Sequence, residues 1–161
     1  MPLARQKEVE MKNEMRMEFD AVSENEGFAR VAVAAFVTPL DPTLEEVADI
    51  KTAVSEAVTN AVIHAYPDWP EEKPRKVELR CSVNADVLHI EIEDHGVGIA
   101  DVEKAMEPLC STCPDKDRSG MGFAFMEAFM DDLEVESTVG EGTVVRMEKK
   151  LGTFVWAEEG E

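Results

Sequence analysis

The sequence predicts an α+β fold in which a layer of helices packs on one face of a β-sheet. Short runs of the chain alternate apolar and polar residues, and longer runs repeat apolar residues at helical spacing. Each kind of run has a single apolar side, and packing the two layers together buries both sides. The expected order is strand, two helices, hairpin, long loop, helix and hairpin. All of these elements fit one domain in a chain of 161 residues.

The first strand is expected over residues 13–20, where every second residue is apolar. A helix follows over residues 24–37, because apolar residues recur there every three or four positions. The apolar residues at this spacing are Phe28, Val31, Ala32, Ala35 and Phe36. Pro39 and Pro42 then stop this helix.

A longer second helix is expected to begin at Thr43 and to continue to about Ala65. Thr43 and Glu46 match a capping box, in which each side chain satisfies a free backbone N–H group at the helix start. Apolar residues continue at helical spacing through the segment. Tyr66 and Pro67 end it.

The C-terminal half is expected to contain two hairpins, a long loop and one helix. Residues 95–120 are interrupted by proline and glycine and have no clean period, which predicts a loop. Residues 121–131 are rich in Phe and Met and predict a helix. The hairpin strands alternate in polarity and are expected at residues 77–83, 88–92, 133–138 and 143–150.

The ends and the overall charge limit the classes of function. Residues 1–12 are expected to be a flexible extension, residues 13–150 the folded domain and residues 151–161 an acidic tail. We find no signal peptide and no membrane-spanning run, so we predict a cytoplasmic protein without membrane contact. The formal net charge of −19 disfavours direct DNA binding, which needs clustered Lys and Arg. An odd number of cysteines, three, argues against a disulfide framework.

Glu56, Asn60 and His64 lie four residues apart on the second predicted helix, which places them on one narrow face. An amide oxygen suits Mg²⁺, which prefers oxygen ligands. A carboxylate one turn away could take a proton from an attacking hydroxyl. By themselves, these residues fit a solvated helix face as well as they fit a site.

A glycine motif follows a predicted strand, with Asp94 at the strand end and Gly96 and Gly98 after it. The Asp94 carboxylate could accept a hydrogen bond from an exocyclic amine. The glycines allow tight turns and the close approach of a ligand. The motif alone also fits an ordinary turn.

A second glycine motif opens the helix predicted at residues 121–131, and its candidate residues are Arg118, Ser119, Gly120 and Gly122. Free N–H groups at a helix start bind phosphate, and an arginine there adds a suitable charge. No Lys-Ser or Lys-Thr follows, so this is not a P-loop. Gly142-Thr143 lies on the last hairpin. Taken singly, each of these motifs also fits a loop or a turn.

The four motifs, in this order, resemble the ATP site of the GHKL superfamily of ATPases and kinases. The segments NEMRMEF, SENEGFARVAVAAFV, SEAVTNAVIHAY, DHGVGI and RSGMGF are similar to the sporulation anti-sigma serine kinases. The likeness covers about residues 11–150. It implies a two-layer sandwich of the GHKL ATP-binding type, with a mixed, mostly antiparallel sheet and helices on one face.

The resemblance also implies roles for the candidate residues. Glu56 would be the general base for a substrate serine, Asn60 would hold Mg²⁺, and Asp94 would receive the adenine amino group of ATP or ADP. The rest of the nucleotide site would consist of His64, Gly96, Gly98, Ile99, Arg118, Ser119, Gly120, Gly122 and Thr143. Cys110 and Cys113 lie in the expected lid and are interpreted as free thiols.

The resemblance further implies a homodimer that binds a sigma factor of the sigma-F type in the ATP state. Such a kinase phosphorylates an anti-anti-sigma protein of the STAS type on serine and retains that protein with ADP. Arg30 aligns with an exposed arginine used for both partners.

Three alternatives remain at this point. The chain could be an anti-sigma-B-type kinase of a stress response. It could be a non-catalytic binding module that nucleotide only gates. It could also be the catalytic domain of a histidine kinase, but the residues before position 43 are too few for a phospho-accepting helical hairpin.

Overall fold

The computed structural model describes residues 12–107 and 122–152. A five-stranded sheet has the order β1-β2-β3-β5-β4, and every pairing is antiparallel. Its strands are β1 (Lys12–Asp20), β2 (Lys76–Asn84), β3 (Val87–Asp94), β4 (Asp132–Thr138) and β5 (Gly142–Lys150). The predicted α+β class is therefore confirmed. The described strands include no parallel pair, although the resemblance implied a mixed sheet.

The helices are α1 (Glu24–Val37), α2 (Leu44–His64), α3 (Val102–Met106) and α4 (Gly122–Phe129). A short 3₁₀ helix at Thr38–Leu40 joins α1 to α2. Helix α3 lies in a region that we expected to be loop. The Asp101 side chain caps it by accepting the Lys104 N–H at 3.0 Å.

Helix α2 begins with the predicted capping box. Thr43 Oγ1 accepts the Glu46 N–H at 3.1 Å, and Glu46 Oε1 accepts the Thr43 N–H at 2.9 Å. One face of the helix is buried against the sheet and the other helices, through Ile50, Ala53, Val54, Ala57, Val58 and Ala61. This long packed face fixes the helix, so the polar residues beside it have defined positions.

The two central predicted strands bury alternate residues as expected. Their inward side chains are Val77, Leu79, Cys81, Val83, Leu88, Ile90 and Ile92. On the outer face, Arg80 forms ion pairs with Glu78, Glu91 and Glu93. The two faces therefore differ completely in character, and only the inner face can pack against helices.

The predicted helix is confirmed over Glu24–Val37, but only some of its apolar residues face the core. Phe28 and Val31 are 59% and 56% exposed, whereas Ala29, Val33 and Val37 are buried. Apolar residues occur around most of this helix, so their spacing fits more than one inward face. Phe28 and Val31 form an exposed strip, whereas Phe36 is partly buried against the core.

The predicted ends of the domain also need correction. Leu151 was assigned to the tail, but its side chain is completely buried and its N–H donates to the Asp86 carbonyl at 2.7 Å. The folded part thus extends past residue 150 because this side chain completes the core. Lys12 belongs to β1 rather than to the extension. In the described part of the chain, no helix has the length and apolar character needed to cross a bilayer.

We predict that Thr43→Ala lowers the free energy of unfolding by about 1 kcal/mol, because the Glu46 N–H loses its acceptor. Thr52→Ala is the matched control. Thr52 lies inside the helix, its hydroxyl donates back to the Ala48 carbonyl, and alanine is the better helix former there. Chemical denaturation of both variants measures the difference. Equal stability of Thr43→Ala and the wild type would contradict the capping interpretation.

Candidate functional site

The predicted polar line lies on α2, and its first two members border the start of α4. Glu56 and Asn60 are half-buried, and His64 is exposed in the last turn of the helix. A Cβ atom added at Gly122 would lie 3.1 Å from Asn60 Nδ2 and 3.4 Å from Glu56 Oε2. The first residue of α4 therefore packs directly against the two residues to which the sequence assigns chemistry.

The amide oxygen of Asn60 is buried and accepts no hydrogen bond from residues 12–107 or 122–152. An unsatisfied buried acceptor costs about 1–3 kcal/mol of stability. Such an atom suits an incoming cation, since Mg²⁺ binds amide and carboxylate oxygens. The amide oxygen of Asn60 is therefore the kind of ligand atom that magnesium prefers, and it has no hydrogen-bond partner among the described residues.

Glu56 has a perturbed acidity. Burial raises the pKa of its carboxyl group, and the nearby Glu26 carboxylate on α1 raises that pKa further. A carboxylate with a raised pKa holds a proton more strongly, which improves it as a general base near neutral pH.

Asp94 ends β3 and is buried. The Gly96 N–H donates to Asp94 Oδ1 at 3.0 Å, and the Thr143 N–H also donates to the carboxylate. Burial raises the pKa of Asp94, and these two N–H groups oppose the rise only in part. The result is a carboxylate held in a fixed orientation at the end of the sheet.

The two glycines after Asp94 are required by close backbone approaches. At Gly96, an added Cβ would lie 1.9 Å from the Ala65 carbonyl oxygen, which is impossible without a shift. At Gly98, φ is +75° and an added Cβ would lie 2.3 Å from the Thr138 carbonyl oxygen. The loop is therefore packed between the end of α2 and the end of β4.

Two hydroxyl groups that the sequence analysis did not select hold this loop. The Tyr66 hydroxyl accepts the His95 N–H at 3.0 Å and donates to the Lys76 carbonyl at 2.6 Å. Ser137 Oγ accepts the Ile99 N–H at 2.7 Å and lies 2.7 Å from Thr143 Oγ1. Ser137 is 38 residues from Ile99, and no local pattern indicates the contact.

The structure brings together only some of the predicted residues. Arg118, Ser119 and Gly120 lie outside the described residues, as do the two lid cysteines, Cys110 and Cys113. Gly96 and Thr143 contact Asp94 directly. Ile99 is joined to Thr143 through the Ser137 hydroxyl, and Gly98 packs against Thr138. Arg30 lies apart from these, exposed on α1, where it pairs with Glu26 at 3.3 Å.

A second group of possible metal ligands lies on the outer face of the sheet. Atoms of Glu78, Glu93 and His95 lie within 4.8 Å of one another. Arg80 contacts Glu78 at 3.1 Å and Glu93 at 2.5 Å, and Arg16 also pairs with Glu78. Because two guanidinium groups already neutralise these carboxylates, we interpret the group as an ion-pair network.

Comparison with known proteins shows the family of the chain. Residues 11–149 match the family model described as the histidine kinase-like ATPase domain. The anti-sigma F factor of Clostridium perfringens is 54% identical over 143 residues, which are 89% of this chain and all of that protein. The anti-sigma F factor of Pasteuria penetrans is 56% identical over 140 residues, 87% of this chain and 92% of that protein.

A solved structure shares the fold. A crystal structure of the RsbU and RsbW domains of a Mycobacterium tuberculosis protein matches with a TM-score of 0.61 and 17% identity. The match covers 86% of this chain and 32% of that longer chain. At this identity the likeness concerns the fold alone.

We predict that Gly96→Ala destabilises the protein by about 1–3 kcal/mol, because its Cβ overlaps the Ala65 carbonyl. Gly27→Ala is the matched control. It lies in α1 with no described atom within 4 Å of the added Cβ, and it should be neutral or stabilise by up to about 1 kcal/mol. Urea denaturation compares the two variants. A Gly96→Ala variant as stable as Gly27→Ala would show that the loop does not need this approach.

Proposed function

Because the chain belongs to the histidine kinase-like ATPase domain family, and within it to the anti-sigma F factors, we propose that it is an ATP-dependent serine kinase that also inhibits a sigma factor. The observation that carries the proposal is the pairing of Asn60 and Glu56. Asn60 offers a buried oxygen that no described residue hydrogen-bonds, and Glu56 offers a carboxylate of raised pKa one helical turn away. A magnesium ligand beside a base is the arrangement that phosphoryl transfer to a hydroxyl requires.

The nucleotide is proposed to bind across α2, the Asp94 loop and the start of α4. The Asp94 carboxylate accepts a hydrogen bond from the adenine amino group. Gly96, Gly98 and Ile99 shape the pocket beside it. Asn60 would hold Mg²⁺, which when bound would supply positive charge against the phosphates. Gly122 begins α4 against Asn60, so free N–H groups of the helix start face the same region.

Glu56 is proposed as the general base. It takes the proton of the substrate serine hydroxyl as the serine oxygen attacks the terminal phosphorus. The bond from that phosphorus to the bridging oxygen breaks, which leaves phosphoserine and ADP. Glu56 then releases its proton to solvent. Its raised pKa makes the carboxylate a stronger proton acceptor than an exposed glutamate.

The exposed strip of α1 is proposed as a partner surface. Phe28 and Val31 are exposed side by side on α1, Arg30 is exposed about 100° further around the helix, and Val22 is exposed just before the helix. Arginine and aromatic side chains carry much of the binding energy in protein interfaces. We assign to this surface a sigma factor of the sigma-F type and an anti-anti-sigma substrate of the STAS type. The similarity to proteins named anti-sigma F factor supports the first partner.

The ATP or ADP state is proposed to select between these partners. The active form is proposed to be a cytoplasmic homodimer. The identity of 54–56% with anti-sigma F factors favours this assignment over the stress-response alternative. The non-catalytic module is disfavoured because a protein that only binds nucleotide needs no base beside the metal ligand.

We predict that Glu56→Gln still binds ATP but transfers phosphate to the anti-anti-sigma protein about 10²–10⁴-fold more slowly, the usual contribution of a general base. Transfer of radiolabelled phosphate and a separate ATP titration measure the two effects. Asn60→Ala should instead weaken magnesium-dependent nucleotide binding. Normal transfer by Glu56→Gln would exclude it as the base.

A second variant, Glu26→Gln, tests the pKa of Glu56. It keeps Glu56 but removes the neighbouring negative charge. Wild-type activity should fall with acidification through the raised pKa of Glu56, because only the deprotonated base acts. Since Glu26 raises that pKa, Glu26→Gln lowers it, and the fall in rate moves to lower pH. An unchanged pH profile in this variant would contradict the proposed electrostatic link.

We predict that Arg30→Ala weakens binding of the sigma factor by at least about tenfold while ATP affinity is unchanged. Lys150→Ala, an exposed cation at the end of β5, is the control. Calorimetry with the sigma factor in the presence of ATP measures both variants. Equal affinity of Arg30→Ala and Lys150→Ala would remove Arg30 from the interface.

A further inference from the structure

The hydroxyl group of Ser137, on β4, makes three polar contacts. It accepts the Ile99 N–H at 2.7 Å, donates to the Gly142 carbonyl at 3.0 Å and lies 2.7 Å from Thr143 Oγ1. The contact with Thr143 joins two hydroxyl groups, so geometry alone does not say which one donates.

Counting protons decides the direction of that bond. A serine hydroxyl has one proton and two lone pairs. The Ile99 N–H can only donate, and the Gly142 carbonyl can only accept. When all three contacts are hydrogen bonds at once, the proton of Ser137 goes to Gly142 and the Thr143 hydroxyl donates to Ser137. With these three bonds the Ser137 hydroxyl is saturated.

This direction changes what Thr143 offers to a ligand. Its only hydroxyl proton is used within the protein, so Thr143 Oγ1 can act toward the pocket only as an acceptor. Thr143 lies directly opposite Asp94 in the pairing of β3 with β5, and opposite residues project their side chains on the same face of a sheet. Both residues are buried. Two hydrogen-bond acceptors thus stand side by side.

We propose that Ser137 is a positioning residue that determines base specificity, because it keeps Thr143 as an acceptor beside Asp94 and so selects a 6-amino purine over a 6-oxo purine. This inference rests on the proposed adenine-nucleotide site. The exocyclic amine of adenine has two N–H groups, one for each acceptor. The carbonyl oxygen of guanine or hypoxanthine at the same position is an acceptor and meets two others.

The test compares the affinities of ATP, GTP and inosine triphosphate by calorimetry in wild type, Ser137→Ala and Ser137→Thr. In Ser137→Ala, the Thr143 hydroxyl is released and can turn to donate to a 6-oxo group. The preference for ATP over the two 6-oxo nucleotides should then fall by about tenfold, the value of one hydrogen bond. Ser137→Thr keeps the hydroxyl and should restore the preference. Thr138→Ala, the adjacent exposed residue, is the control.

A residue that only tethers the loop gives a different result. If Ser137→Ala lowers all three affinities by the same factor and leaves their ratio unchanged, the inference is overturned while the ATP site stands. If wild type binds no ATP, the proposed function fails together with it.

A second variant keeps the inference testable if Ser137→Ala does not fold. Thr143→Val removes the acceptor but leaves Ser137. It should weaken ATP by more than it weakens purine riboside triphosphate, which has no exocyclic amine. Equal weakening of both nucleotides would also overturn the inference.

Discussion

The hydrogen bond from the Val97 N–H to the Ala65 carbonyl, 2.8 Å long, joins the end of α2 to the loop that follows β3. It forms because Gly96 has no side chain and lets the two backbones touch. The polar residues Glu56, Asn60 and His64 of α2 and the Asp94 carboxylate belong to elements that are separate in the sequence. This contact sets their relative position, so the proposed site is assembled only when helix and sheet are packed together.

Three polar groups of the proposed site are buried at a cost in folding free energy. The buried Asn60 oxygen accepts no hydrogen bond from the described residues, and the carboxyl groups of Glu56 and Asp94 are held where burial raises their pKa. These groups oppose folding slightly, and the capping box and apolar face of α2 offset them. Buried polar groups that lack partners or have a raised pKa are typical of a binding site, where a ligand supplies the missing partners. The Glu26 carboxylate links this region to Arg30 through their ion pair.

The sequence predicts most of the fold because its elements are locally encoded. The capping box fixes the start of α2 at Thr43, and strict alternation identifies the strands of the central hairpin. The inward face of α1 does not follow from spacing, because apolar residues surround that helix and packing alone decides which side is buried. The Asp94 motif and the α2 line also follow from local spacing. The roles of Tyr66 and Ser137 do not, because their partners are distant in the chain and come together only after folding.

We propose that Asp94 and Asn60 lie at the two ends of one nucleotide-binding site. A crystal structure of the chain with Mg²⁺ and a non-hydrolysable ATP analogue tests this proposal most directly. We expect the adenine amino group at hydrogen-bond distance, about 3 Å, from the Asp94 carboxylate. We also expect the metal at about 2.1 Å from Asn60 Oδ1. A nucleotide bound away from Asp94, or a metal that does not touch Asn60, would contradict the proposal.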